Sequence, residues 1–313
     1  MRPPGILRWL PAGVLALAAV LAAGCGPRNR APAGGRASPA VQPIGEVLKL
    51  TVVPYEAADR LAEEYTPMAR YLASRLGRRS GEFRSVVDYA GVLAALETGQ
   101  VDVAYLSPFP YALASSRMKL HPLAMPHVFD KLTYRGIVFV RADSPIRSLQ
   151  DLRGRVVAFG DEASTTGYLL PRALLERSGI PLSALKRWYN AGDANVVVKA
   201  VENGSADAGC AYEAVFQVAY RDSPEKAKAM RVVAHTDEIP NGIYVGRGTL
   251  PPDEVARLRK AFLDMNTDPE GRAAMLKAPN QKMVEADDRL FDGVRETARI
   301  LDLDLTVFEK KGR

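Results

Sequence analysis

From residue 47 onward, apolar positions alternate between two rhythms. Short β-branched runs read as buried strands, and stretches with apolar residues three or four apart read as amphipathic helices. "VLKLTVVPY" predicts a strand, and "YTPMARYLASRLG" a helix closed by Gly77. "EFRSVVDY" predicts a second strand, followed by the helix "YAGVLAALETG", again ending in glycine. "VDVAYLSP" is a third strand and "FPYALASSR" a short helix. Connections this short between strand and helix imply parallel strands in an α/β layer.

The alternation then restarts. "YRGIVFVRA" predicts a strand, "SLQDLRG" a turn-like helix, "RVVAFG" a strand and "GYLLPRALLERSG" a helix. "LKRWYNAG" leads into the helix "DANVVVKAVENG". After it come the strand "ADAGCAY", the helix "EAVFQVAYRD" and the strand "MRVVAHT". Both series contain a helix ending in glycine before a short strand, "VDVAYLS" in one and "ADAGCAY" in the other. They match in plan and not in sequence, so they read as two lobes and not as a repeat.

The tail segments "PPDEVARLRKAFLDMN" and "DRLFDGVRETARILDLD" predict helices that need a sheet to pack on, and the first lobe is the better candidate. Lobe one is therefore expected at 46–139 plus 240–313, and lobe two at 140–239. The chain would cross between them near 138–142 and 234–241. Two crossings between α/β lobes make a two-segment hinge that closes a cleft over a ligand.

The first 24 residues follow other rules. Arg2 and Arg8 precede the apolar run "WLPAGVLALAAVLAAG", which ends in small residues before Cys25. That order is a secretory signal. "LAAGC" resembles a bacterial lipobox, with Leu21 one place further from the cysteine than usual, so Cys25 is the expected lipidation site. The stretch 25–45, rich in Pro, Gly, Ala and Arg, lacks apolar periodicity and reads as a flexible tether. The expected location is the cell envelope, lipid-anchored on the extracytoplasmic face, with no later segment of transmembrane length.

Charge and chemistry narrow the function. The formal charge of +6 includes Arg2 and Arg8, so removing the signal leaves +4, with basic residues scattered; nucleic acid is not an expected partner. Only Cys25 and Cys210 occur, so no disulfide framework forms once Cys25 is acylated. His121, His127 and His235 lack ligand spacing, and neither a metal nor a cofactor is expected.

The most informative run is "FGDEASTTGYLLP", residues 159–171. It leaves a predicted strand and opens a helix, where unpaired N–H groups and the helix dipole favour an anion. Ser164, Thr165 and Thr166 add hydroxyl donors, and Gly167 lets the backbone approach closely. A helix cap alone needs one hydroxyl. Three hydroxyls and a glycine exceed that need, so the run reads as an anion cradle. It is not a nucleotide P-loop, since the Gly–Lys–Ser/Thr ending is absent.

Three segments together resemble the phosphate/phosphite/phosphonate-binding proteins of ABC importers. They are "VDYAGVLAALETGQVDVAYLSPFPYALA", "YRGIVFVRADSPIRSLQDLRGRVVAFGDEASTTGYLLP" and "VVKAVENGSADAGCAYEAV". The resemblance implies a two-lobed periplasmic-binding-protein fold of the type II-like class, and capture of a small phosphorus oxyanion for an ABC permease and ATPase. It also implies cleft positions at Tyr55, Tyr105, Ser107 and Tyr111, with Ser107 standing where relatives carry glycine. Tyr134, before the crossing strand, is a further cleft candidate with hinge packing as its alternative.

Two departures stand out. Relatives that bind phosphonates usually carry His-Asp where this chain has Ala194 and Asn195, leaving Asn195 as a polar candidate and Asp193 as either N-cap or ligand acceptor. The acid after "ADAGCAY" is Glu213, one place beyond its usual position, which Tyr212 occupies. The expected protein is thus a monomeric solute receptor and not an enzyme. A sensory partner of a membrane signalling protein, or a receptor for another small anion, fits the same scaffold. No nucleophile–base pair, metal set or cofactor fingerprint supports catalysis.

Overall fold

The computed structural model describes residues 40–301, apart from Phe129, and Leu303. The signal at 1–24, Cys25 and most of the tether fall outside the described residues. In chain order the elements begin with β1 (Val47–Val52), α1 (Ala58–Arg75), β2 (Ser80–Phe83), α2 (Tyr89–Glu97), β3 (Val103–Leu106) and α3 (Pro108–Arg117). Next come β4 (Leu120–Val128), β5 (Thr133–Tyr134), β6 (Gly136–Arg141), β7 (Val156–Phe159), α4 (Leu170–Arg177) and β8 (Arg187–Asn190). The series continues with α5 (Ala194–Glu202), β9 (Ala208–Tyr212), α6 (Val215–Ala219), β10 (Met230–His235), β11 (Ile239–Pro240) and β12 (Ile243–Arg247). It closes with α7 (Pro252–Asp264), α8 (Pro269–Met275), β13 (Asn280–Val284) and α9 (Asp292–Ile300).

These strands build two sheets. The first runs β13-β4-β12-β3-β1-β2, with β1 parallel to β2 and β3. The second runs β10-β6-β9-β7-β8, with β7 parallel to β8 and β9. Helix α1 covers the first sheet because Leu61, Tyr65, Met68, Ala69 and Leu72 recur at helical spacing on one buried face. In the second lobe, α5 buries Val197, Val198 and Val201, and close approach to β9 requires Gly209. A Cβ there would lie 2.7 Å from Phe139 Cζ and 2.8 Å from Val197 Cγ1.

Several expectations shift. The tail, read as helices alone, also carries β12 and β13, and β4 precedes the first crossing. Strand β12 is buried along its whole length between β3 and β4, so it shows no alternation to betray it. The second strand stops at Phe83, and Val87 of the predicted run is fully exposed at 96%. The predicted helix after Tyr212 shortens to five residues.

The crossings also move. Gly136–Arg141 is wholly paired in the second sheet, against β9 and β10, so the first crossing precedes it instead of lying at 138–142. It is β5, which forms a two-residue antiparallel ladder with β11 of the returning chain: Ile239 opposite Tyr134, Pro240 opposite Thr133. His235 still belongs to β10, so the return crossing narrows to the residues after it. The Thr236 Oγ1 accepts from the Gly136 N–H at 2.8 Å, and the Asn241 N–H donates to the Leu132 carbonyl at 2.7 Å. The hinge is a stitched ribbon instead of two independent strings.

One buried ion pair fixes the first lobe. Asp102, just before β3, accepts from Arg247 Nε at the end of β12 and from the Lys49 N–H of β1, both at 3.0 Å. Arg247 also donates to the Pro43 carbonyl at 3.1 Å. Both side chains are nearly inaccessible, at 7% and 5% exposure, so removing one strands the other's charge in the core. Asp102→Ala is expected to cost about 3–5 kcal/mol, read as a lowered urea midpoint with an unchanged slope.

Candidate functional site

The parallel strands of the two lobes point their C-terminal ends at each other, the position where open α/β sheets bind ligands. Residues after β1 and β3 in one lobe, and after β7 and β9 in the other, line a cavity of about 340 Å³. That volume suits a small solute.

Thr165–Leu169, between β7 and α4, forms a single π-turn that runs into α4. The Ser164 hydroxyl accepts from the Gly167 N–H at 3.1 Å, and its carbonyl accepts from the Tyr168 and Leu169 N–H groups. Ser164 is therefore the cap. The first N–H groups of the turn have no intrahelical acceptor. Thr165 and Thr166 stand beside them, free of the capping duty, so cap and cradle share one run. Gly167 is required: a Cβ would come within 2.8 Å of Ser164 Oγ and 3.1 Å of Gly160 Cα.

The first lobe meets this turn directly. The Phe109 N–H, in the first turn of α3, donates to Thr165 Oγ1 at 2.9 Å. Tyr89 and Tyr134 line the same cavity as Ser164, Thr165 and Thr166. Ala163, Leu169 and Leu170 of the second lobe pack in one cluster with Val53, Tyr89 and Phe109 of the first. The lobes are closed upon each other.

Tyrosines dominate the lining: Tyr55, Tyr65, Tyr89, Tyr105, Tyr134 and Tyr212. Burial raises all of them, Tyr105 to about 12. They remain neutral donors across the physiological range. Tyr55 Oη lies 3.1 Å from Tyr65 Oη and donates to Glu64 at 3.3 Å, while Tyr105 Oη accepts from the Gly242 N–H at 3.1 Å.

Of the residues singled out in the sequence, Ser164, Thr165, Thr166, Gly167, Tyr55, Tyr105, Ser107, Tyr134 and Glu213 line the cavity. Tyr111 does not. It lies on the opposite side of α3, donates to Asp288 at 2.6 Å and packs edge-on against Phe291. Ser107 is the extended N-cap residue, with φ −68° and ψ 164°, so its side chain falls outside the helical repeat that would put residues 107 and 111 on one face. Asn195 is also outside the lining; Ala194 lies there instead. Asp193 is the α5 cap, accepting from the Asn195 and Val196 N–H groups at 2.8 and 3.1 Å. The Glu213 carboxylate is held by Arg135 Nε at 3.2 Å, so its charge is compensated from the crossing segment.

The sequence reading missed Tyr65, Tyr89, Tyr212, Lys131, Asn241 and Asn280. Tyr212 had a signal, for it ends β9 as Tyr105 nears the end of β3 in the twin plan of the two lobes. Tyr89 had one too, as the first residue of a helix following a strand. Lys131, Asn241 and Asn280 come from loops and strand starts that only the folded chain brings together. Among the described residues no group of His, Cys, Asp and Glu could hold a metal, and no helix is long and apolar enough to cross a membrane.

Residues 50–291 match the family described as the periplasmic substrate-binding protein of the phosphonate ABC transporter. The chain belongs to this family. Its members are extracytoplasmic, substrate-binding transport proteins, and the fold is the type II-like periplasmic-binding fold. Among curated relatives, the phosphate-import protein PhnD of Mycolicibacterium smegmatis is 29% identical, over 69% of this chain and 71% of that protein. A probable phosphite-binding protein, PhnD1 of Prochlorococcus marinus, is 20% identical over 82% of this chain and 90% of its own. The structure of PhnD1 from Prochlorococcus marinus with methylphosphonate superposes with a TM-score of 0.74 at 17% identity, covering 82% of this chain and 98% of that one.

The tyrosine lining has a pH consequence. A buried phenol whose folded pKa exceeds the unfolded value of 10.0 contributes stability that is complete below pH 10 and is lost as pH rises through the folded value. Melting temperature is expected to fall between pH 10 and about 12, the Tyr105 value, with no tyrosine-linked change near neutrality. A melting temperature that stays level across that range would contradict this lining.

Proposed function

We propose that this chain is a lipid-anchored receptor that captures a phosphonate, phosphite or phosphate in the cleft and hands it to an ABC permease. The observation that carries the reading is the junction at Thr165. There a helix N-terminus of one lobe, rich in hydroxyls, meets the first turn of α3 from the other lobe. Such a junction favours negative charge from both sides. Neutral phenols and Lys131 line the same cavity; of its two carboxylates, Glu213 is paired to Arg135 and Asp193 accepts from the α5 N–H groups. The relatives' printed ligands, phosphate, phosphite and methylphosphonate, share a tetrahedral phosphorus oxyanion, and that common chemistry supports this ligand class.

Binding operates by population shift. In the open form each lobe offers half of the donors; the ligand draws both halves together and favours the closed form by its differential affinity. The β5–β11 ribbon lets the lobes move while keeping them in register. Cys25 and the tether hold the receptor near the permease, which the reading places on the extracytoplasmic face.

Calorimetry with phosphate, phosphite, methylphosphonate, aminoethylphosphonate and sulfate tests the ligand class. At least one phosphorus oxyanion is expected to bind, and Thr166→Val to weaken that binding by about 1–3 kcal/mol through loss of a donor to a charged group. Absence of heat with every phosphorus oxyanion would sink the proposal. Labelled palmitate incorporated by the full-length precursor, and lost in Cys25→Ser, tests the anchor.

A further inference from the structure

Buried side-chain oxygens nearly always have a hydrogen-bond partner, and each exception calls for an explanation. Among the described residues two such exceptions line the cavity: Ser107 Oγ and Tyr212 Oη. They come from opposite lobes. Ser107 ends the β3 segment and occupies the N-cap of α3 without making a capping hydrogen bond. Tyr212 is the last residue of β9 in the second sheet. Each sits beside a group that is already satisfied. Thr165 takes the Phe109 N–H next to Ser107, and Glu213 takes Arg135 next to Tyr212. The protein supplies no acceptor to either hydroxyl although polar groups crowd the site.

We propose that the Ser107 and Tyr212 hydroxyls are ligand donors, one from each lobe, and that their need for an acceptor makes closure conditional on the ligand. The inference rests on the oxyanion reading of the cavity. With the cleft open, water satisfies both hydroxyls. With it closed and empty, both are buried without partners, which disfavours the closed form. An oxyanion with two unprotonated oxygens satisfies both and removes the penalty, so the same two atoms bind the ligand and penalise closure without it. Burial keeps the Tyr212 phenol protonated, hence a donor.

This role has a signature that a packing role lacks. Titration calorimetry with phosphate, phosphite and methylphosphonate is carried out on the wild type, Ser107→Ala and Tyr212→Phe. Each variant is expected to bind the preferred anion about tenfold or more weakly. Its ligand-free melting temperature stays level or rises, because an unsatisfied group has been removed. Tyr111→Phe provides the contrast: it breaks the bond to Asp288 outside the cavity, so melting temperature falls while affinity holds. In small-angle scattering the ligand-free double variant is expected to be more compact than the ligand-free wild type. Wild-type affinity in both single variants overturns the inference, as does an affinity loss that only accompanies a drop in melting temperature. An unchanged ligand-free radius of gyration overturns the closure part. A wild type that binds none of the three anions overturns the oxyanion reading, and this inference with it.

Discussion

The hydrogen bond from the Phe109 N–H to Thr165 Oγ1 is where the architecture converges. A helix start carries N–H groups without intrahelical partners, and burying such a start demands acceptors. Here two helix starts, α3 and the π-turn leading into α4, are buried against each other across the cleft. One threonine oxygen answers a donor of the opposite lobe, but the Thr165 and Thr166 hydroxyls remain directed to a site rich in donors. The demand for a compensating acceptor is built into the meeting of the lobes. The two carboxylates that line the same cavity are already engaged, Asp193 by the N–H groups at the start of α5 and Glu213 by Arg135.

Charge across the cleft mouth works in the same sense. Arg221 of the second lobe lies 3.6 Å from Glu56 and 3.5 Å from Glu64 of the first, and Arg60 lies 4.0 Å from Asp222. Burial raises the pKa of both Glu56 and Glu64, and each carboxylate raises or is raised by acidic neighbours, Asp193 for Glu56 and Glu56 for Glu64. Partly exposed pairs of this length contribute little. Glu64 also receives the Tyr55 hydroxyl, so this outer network touches the lining directly.

Much of the site was legible because it depends on local rules. Ser164, Thr165, Thr166 and Gly167 lie between a strand and a helix, and that order alone places them at a helix start near a strand end. Tyr55, Tyr105 and Ser107 came from the family resemblance, and all three line the cavity. Tyr111, a cleft position by resemblance, packs instead against Phe291, 180 residues later in the chain, a contact that no local pattern shows. Asn195 lies one place past the lining, which Asp193 and Ala194 enter, and its N–H donates to the capping Asp193 carboxylate. The hinge was misplaced by a few residues since β6 continues a strand pattern whose pairing partner cannot be read from the pattern.

The amino-acid sequence by itself determined the two α/β series, their helix starts and stops and the hydroxyl-rich junction after β7. These are consequences of periodicity, caps and turn chemistry acting over ten or fifteen residues. Tertiary structure decided that β12 enters the centre of the first sheet, that β5 and β11 form the ribbon, and that Tyr89, Tyr134 and Tyr212 face one cavity. It also decided which hydroxyls have partners and which do not. The physical reason is that strand pairing and hydrogen-bond satisfaction are properties of groups far apart in the chain, and their accounts balance only when the whole chain has folded.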